Sequence, residues 1–351
     1  MSGSDTDDES IIDGEKELFE HHRYVADKGQ QIIRIDKYLF SHVPNTTRTR
    51  IQNAAEAGNI LVNNKTVKSS YKVKPGDVIT IVLAYPPKEI SILPENIPLD
   101  IVYEDDDILV INKKAGMVVH PAFGNFTGTL IHALLYYLNG KEASLKASLD
   151  NEKSIRPGLL HRLDKNTSGL IIIAKNELAL AILGKEMFDR QITRRYVALV
   201  WGVPKEKEGT IIANVGRNLS NRKKMATFPE GDHGKHAVTH YKVLESFKYV
   251  SLVECKLETG RTHQIRVHMK HIGHTVFGDT EYGGDIILKS SIASGYKEMV
   301  EKCFRICSRQ ALHAKYLSFN HPITKKNLRF ETDLADDIAQ VLEIWKKFVK
   351  S

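Results

Sequence analysis

A chain of 351 residues has room for one large domain or two to three smaller ones, and can bury a sizeable core. Its composition, 42% hydrophobic and 26% charged, is that of a soluble globular protein, and its longest apolar runs fall far short of the roughly 20 residues of a membrane span. The net charge of +7 divides unevenly: residues 1–28 hold nine acids against three bases, so the remainder carries +13, a basic body suited to a polyanionic partner.

Residues 1–28 read as an acidic tail too polar to pack, expected to be disordered and lacking the apolar segment of a signal peptide. From Arg34 onward, Ile35, Leu39 and Val43 stand four apart on one helical face, ended by Pro44. A second helix starts at a Thr46/Thr47 cap, turns Ile51, Ala54 and Ala55 inward and stops at Gly58. Strands at 60–62 and 66–67 flank Asn63-Asn64-Lys65 as a hairpin, and Lys74-Pro75-Gly76-Asp77 makes a turn before a strand at 78–83. Residues 29–85 therefore form a small domain, and 86–98, punctuated by four prolines, a linker.

Beyond the linker the pattern turns to strands, at 101–103, 108–111, 170–174, 196–201, 238–244 and 250–257. Helical periods are confined to 129–138, 176–190 and 334–349, with a polar loop at 141–157 and a helical insertion at 285–305. Gly260 reads as a turn feeding another strand, with Ile265 and Val267 on one face and Arg266 on the other. Consecutive strands with few helices favour an α+β domain over 99–351. Cys255, Cys303 and Cys307 include no C-x-x-C pair, and an odd number argues against a disulfide framework, so a reduced, cytoplasmic setting is expected.

Residues 34–83 resemble the S4 RNA-binding domain through R-I-D-K-Y-L, T-R-T-R-I-Q-N, E-A-G-N-I-L-V-N and K-P-G-D. Residues 29–87 hold eight bases against three acids. Arg48 and Arg50 open the second helix, where the dipole disfavours cations, so phosphate contact accounts for them better than stability does.

The chemistry concentrates in Gly158-Leu-Leu-His161-Arg162-Leu-Asp164-Lys165-Asn-Thr167-Ser168-Gly169. A carboxylate among cations and hydroxyls can serve as a nucleophile or as the partner of a cationic transition state. It can equally cap a turn, a common task for Asp before Thr-Ser-Gly. Two histidine runs, His233/His236/His240 and His263/His268/His271/His274, lack the spacing of a zinc site, so no metal is expected. The basic run Arg217, Arg222, Lys223 and Lys224 suits phosphates, with Arg222 and Lys223 as candidate RNA contacts. Tyr136 and Tyr137, on an apolar helix, read as core. No nucleotide-binding glycine motif is present, and no cofactor is expected.

The stretch H-R-L-D-K-N-T-S-G-L resembles the signature of pseudouridine synthases of the RluA type, in the RluD and RluC branch. Further matches follow in order: R-R-Y-V-A-L-V-W-G (194–202), N-R-K-K-M-A (221–226), L-E-T-G-R-T-H-Q-I-R-V-H-M (257–269), G-H-T-V-F-G-D-T-E-Y-G-G (273–284) and R-Q-A-L-H-A-K-Y-L-S-F-N-H-P-I-T (309–324). The resemblance spans residues 30–330. It implies a mixed, largely antiparallel sheet with flanking helices behind the S4 domain, acting on RNA, with large-subunit ribosomal RNA the expected substrate; a monomer is expected, with the oligomeric state left open by the sequence. It matches Asp164 to the catalytic aspartate, Tyr196 to the tyrosine that stacks on the target base and Arg266 to the basic partner of the aspartate. Arg162 matches the arginine that enters the RNA as the uridine flips out, a step any chemistry on a stacked base requires. The reaction breaks N1–C1′ and forms C5–C1′ without a cofactor. Attack of Asp164 on the ribose, its addition to the base and its assistance to glycal formation all fit. The family has Lys-Pro where Lys113-Lys114 stands, and Lys where Arg194 stands. A non-catalytic S4-type RNA-binding or assembly protein and a base hydrolase are the rival classes.

Overall fold

The computed structural model describes residues 18–27, 29–43, 46–84, 93–122, 124–138, 158–221, 224–229, 233–288 and 295–350, and contact density divides it between Ser91 and Ile92. The first unit runs β1 (Phe19–Val25), β2 (Ile33–Arg34), α1 (Ile35–His42), α2 (Arg48–Glu56), β3 (Ile60–Val62), β4 (Lys65–Thr66), β5 (Lys72–Val73) and β6 (Val78–Leu83). An antiparallel sheet of order β1-β6-β3-β4 packs Ile60, Val62 and Ile79 against Ile35, Leu39 and Ile51 of the two helices. The Thr47 hydroxyl accepts from the Arg50 amide and caps α2. Asn63 and Asn64, both at positive φ, form a two-residue hairpin turn, so Lys65 belongs to β4 rather than to the loop.

The acidic tail expected over 1–28 is too long. Residues 19–25 form β1, which covers the free edge of β6, with Tyr24 and Ala26 against the core. The acids around this segment masked an apolar and aromatic alternation. Residues 1–17, 28, 44–45, 85–92 and the loop expected at 141–157 lie outside the described residues. Of the expected linker, 93–98 lacks regular structure, yet Glu95 is fastened: its carboxylate accepts from the Gly128 amide and its own amide donates to the His132 carbonyl.

The second unit runs β7 (Ile101–Glu104), β8 (Ile108–Lys113), α3 (Leu130–Leu138), β9 (Ser168–Ala174), α4 (Glu177–Phe188), β10 (Thr193–Trp201), β11 (Glu208–Ile212), β12 (Asn214–Arg217), β13 (Met225–Phe228), β14 (Val238–Ser246) and β15 (Val250–Leu257). It continues with α5 (Gln264–His271), α6 (Tyr296–Ile306), β16 (Leu312–Asn320), β17 (Asn327–Glu331) and α7 (Asp336–Lys350). The sheet has the order β11-β14-β15-β10-β16-β9-β8-β7, with β17 also on β16. Only β9 and β16 pair in parallel among the described strands, so the fold is α+β with a mixed, largely antiparallel sheet. All seven residues of β9 are buried, which is why it reads as a continuous apolar run. Ile171 and Ile173 face Leu130 and Leu134 of α3 and Met269 of α5, whereas Leu170 and Ile172 face Ala179 and Leu183 of α4. Each such buried side chain contributes roughly 1.5–3 kcal/mol.

The strand expected after Gly260 is instead helix α5. All six residues from Gln264 to Met269 are buried, the polar Gln264, Arg266 and His268 among them, so the I-R-V-H-M alternation misleads. Strands β11, β12, β13, β16 and β17 go beyond the sequence expectation. Tyr136 and Tyr137, expected in the core, are 50% and 41% exposed, and the Tyr137 hydroxyl donates to Glu104 at 2.5 Å. Among the described residues no helix is long and apolar enough to cross a membrane.

Candidate active site

The parallel pairing of β9 with β16 brings the segments that precede both strands to the same end of the sheet. The segment before β9 carries Asp164. Its turn closes through the backbone, the Thr167 amide donating to the Asp164 carbonyl at 3.0 Å, which leaves the carboxylate for other partners. From α5, Arg266 Nη1 reaches Asp164 Oδ2 at 3.3 Å, and His263 Nε2 lies 3.9 Å from the same oxygen. The Asp164 side chain is 18% exposed and that of Arg266 5%, so the pair opens to solvent from the carboxylate side.

The planar fork of Arg266 is turned on Asp279 rather than on Asp164. Nε and Nη2 donate to the two oxygens of buried Asp279 at 2.6 and 2.8 Å, and Nη2 also donates to Glu281 Oε2 at 2.9 Å. The guanidinium lies 4.8 Å from the ring centre of Tyr282. Burial opposes its charge, but the Asp279 hydrogen bonds and the surrounding carboxylates outweigh burial and raise its pKa.

Two buried cations hold the Asp164 loop from beneath. Lys113 Nζ donates to the carbonyls of Lys114, Met117 and Lys165. Burial and the Arg309 charge push its pKa down to about 7, against the pull of Asp164. Arg309, just before β16, donates to the Asn166 carbonyl at 2.8 Å and clasps Asp337 of α7 through Nε and Nη2 at 2.7 Å each. Tyr196 stands on β10 where the ladder to β16 shifts register between Arg195 and Val197, a bulge that re-aims side chains. Burial raises its phenol pKa, with Arg194 opposing and Asp164 adding to the rise.

The family model for RNA pseudouridylate synthase matches residues 107–271, and that for the S4 domain matches 33–79. An uncharacterized RNA pseudouridine synthase of Chlorobaculum parvum is 50% identical over 317 residues, covering 90% of this chain and 95% of that protein. The chain belongs to the RNA pseudouridine synthases. Also similar are YlyB of Bacillus subtilis, an uncharacterized RNA pseudouridine synthase (41% identical, 92% of this chain and 97% of that protein), and ribosomal large subunit pseudouridine synthase D of Zymomonas mobilis (40%, 87% and 91%). The solved structure of human RNA pseudouridylate synthase domain containing 4 shares the fold at a TM-score of 0.53 and 24% identity, covering 70% of this chain and 92% of that one. This synthase is thus an isomerase acting on RNA behind an S4 RNA-binding domain.

Of the residues singled out in the sequence, Asp164 and Arg266 meet directly, and Tyr196 lies within reach of the Asp164 charge. Arg162 is exposed and makes no ion pair or side-chain hydrogen bond among the described residues, unlike the committed Arg266 and Arg309. In the S4 domain, Arg48 donates to buried Asp36 at 2.7 Å, with Arg34 and Gln52 on the same carboxylate, while Arg50 is exposed with no such partner among the described residues. Arg222 and Lys223 lie outside the described residues. Asp279, Glu281, Lys113 and Arg309 went unnoticed as site residues, although all four stand inside quoted motifs or at a noted departure.

The histidine runs disperse: His240 meets Glu258, His268 the Ala213 carbonyl, His271 Thr227 and His274 the Trp201 carbonyl. One cluster of metal-ligating type, Asp105, Asp107 and His321, occurs among the described residues. There the Ile323 and Thr324 amides donate to His321 Nδ1, so Nε2 carries the proton it gives Asp105 at 2.9 Å and has no lone pair for a metal.

Proposed function

We propose that this synthase isomerises uridines of large-subunit ribosomal RNA, with Asp164 as the catalytic carboxylate. The observation that carries this reading is the Asp164–Arg266 pair: a carboxylate released from its own turn, opening to solvent, beside a cation locked in place by Asp279. The names of the Zymomonas and Neisseria relatives support the choice of RNA. Tyr196 stacks on the flipped uracil, and Arg162 enters the gap the base leaves, since an uncommitted, exposed guanidinium can stack and donate there. As N1–C1′ breaks and C5–C1′ forms, C5 gives up a proton and N1 gains one. All three routes for the aspartate use its carboxylate in this one position.

The test has two parts. Pseudouridine mapping across total RNA, with and without the gene, should lose signal at large-subunit positions; loss confined to another RNA would overturn the substrate. Asp164→Asn, nearly isosteric, should keep RNA affinity yet lose turnover by about a thousandfold or more, as removal of an essential nucleophile does. Turnover within tenfold of the parent would remove Asp164 from the reaction.

A further inference from the structure

Among the described residues six non-glycine residues have positive φ: Asn63, Asn64, Arg190, Lys248, His263 and Lys325. Five stand in turns between strands or just past a helix end. His263, at φ +56, is the exception, because it opens helix α5 inside the site. A strained backbone at such a place calls for a compensating contact. The helix start is secured without it, since Gln264 accepts from the Arg261 amide and the Thr259 hydroxyl and donates to the Val238 carbonyl. The strain serves the ring.

That ring bridges two groups. Nδ1 lies 2.7 Å from the Tyr282 hydroxyl, and Nε2 faces Asp164 Oδ2 at 3.9 Å. The Tyr282 oxygen also accepts from the Met225 amide of β13 at 3.0 Å. Nδ1 also lies 3.5 Å from Glu281 Oε2, and in the tautomer where the phenol gives its proton to Nδ1 the His263 proton sits on Nε2, pointed at the carboxylate.

We propose that His263 and Tyr282 form a strut that aims the Asp164 carboxylate and ties it to strand β13, making both of them positioning residues of the isomerisation. The inference rests on Asp164 being the catalytic group. Arg266 grips Asp164 through one nitrogen only, its other donors being turned on Asp279 and Glu281, so a single contact leaves the carboxylate free to pivot. A second donor on the same oxygen stops that pivot, and the long 3.9 Å contact is of the kind that tightens once substrate is bound. Burial holds the His263 pKa below its ordinary value, with Asp164, Glu281 and Asp279 pulling it up and Arg266 pushing it down, so the ring serves as a neutral donor. The Arg266 guanidinium and Lys270 lie 4.8 and 5.8 Å from the Tyr282 ring centre and help to hold the ring beside His263.

The test uses the full chain and an unmodified large-subunit ribosomal RNA transcript, at saturating protein in single turnover. His263→Gly keeps the left-handed backbone at no steric cost and removes only the ring. Tyr282→Phe removes only the hydroxyl. Each should slow isomerisation tenfold or more while RNA affinity stays within twofold and the urea midpoint is kept. Because the two act in series, the double variant should be no more than about twofold slower than the slower single one. Added imidazole should restore part of the rate of His263→Gly but none of Tyr282→Phe. Rates within twofold of the parent, or losses that multiply in the double variant, would overturn the strut. Asp164→Asn run alongside keeps the two readings apart: if it is active, the catalytic assignment fails; if it is dead while the strut variants are not, only the strut fails.

Discussion

At the scale of single residues, the site depends on how each charge is already committed. Arg266 looks in sequence like a partner for Asp164, but its two shortest hydrogen bonds go to Asp279, whose side chain is 1% exposed. Replacing Arg266 therefore has two separable effects. Arg266→Met strands a buried carboxylate and should destabilise the fold by about 3–5 kcal/mol, the usual result of breaking one side of a buried ion pair. Arg266→Lys keeps the charge, yet a single ammonium cannot span Asp279 and Asp164 together. It should fold nearly as well as the parent and turn over roughly tenfold to a hundredfold more slowly, by the usual weight of a lost charged hydrogen bond of about 1.5–3 kcal/mol. Urea midpoints measured beside single-turnover rates separate the two effects. A lysine variant with the parent's rate would mean that Arg266 acts only through Asp279. The residues that sequence reasoning missed, Asp279, Lys113 and Arg309, are buried charged groups, and nothing in their local sequence marks burial. Lys113 is the nearest to a legible case, since it ends the apolar run of β8 and so continues inward. The Asp164–Arg266 pair, 102 residues apart, became legible only through the family resemblance.

Among the secondary elements, strands with runs of apolar residues could be read directly, and the S4 helices could be read from spacing and caps. The elements that escaped are those whose burial is uniform or whose sequence mixes polar residues into a buried strand. Helix α5 buries its polar Gln264, Arg266 and His268 along with its apolar residues, and β16 buries His313, whose Nδ1 lies 2.9 Å from the Ser168 hydroxyl of β9. That β9–β16 contact is also where the site is most vulnerable. Gly169, at φ +110, pairs with Ala314, and a Cβ there would stand 2.3 Å from the Ala314 carbonyl oxygen. Gly169→Ala should cost more than about 4 kcal/mol, the range reserved for strain against fixed backbone, and the variant should be recovered largely unfolded. A thermal midpoint within a few degrees of the parent would show that the two strands can part without loss. In the S4 domain the weak point is Asp36, whose side chain is fully buried. Burial favours its neutral form, but Arg48, Arg34 and Gln52 outweigh this and hold its pKa well below the usual carboxylate range. A lowered carboxylate pKa gives stability that is present above the unfolded-state value and lost as pH falls through the folded-state value. Asp36→Asn should therefore lower stability at pH 7 by about 1–3 kcal/mol. The gap from the parent should narrow as the pH is taken below about 4, the ordinary aspartate value. A gap that is the same at pH 7 and pH 3 would mean the carboxylate's charge is not what holds Arg34 and Arg48.

At the scale of the whole molecule, charge is divided between a domain that grips and a domain that reacts. Residues 29–87 carry a net +5, and none of them matches a catalytic position. Not every one of those bases is free for RNA. Arg34 and Arg48 are fastened to Asp36, so their loss would mix binding with stability, whereas Arg50 stands exposed two residues further along α2. Each phosphate contact releases counterions, and losing one lowers the slope of log affinity against log salt by about 0.7 to 0.9. Arg50→Ala in the full chain should change the slope by about that single step, with the saturated single-turnover rate unchanged. Removal of residues 1–91 should lower it by several such steps, again with a smaller effect on the saturated rate than on affinity. Both measurements use the same unmodified ribosomal transcript at a series of salt concentrations. A slope unchanged by the truncation would move the grip onto the catalytic domain, where the basic run at 222–224 follows the β12 strand. A slope that falls together with the saturated rate would mean that the S4 domain helps to place the uridine as well as to hold the RNA, because contacts that only bind lower affinity without touching the rate of the bound state.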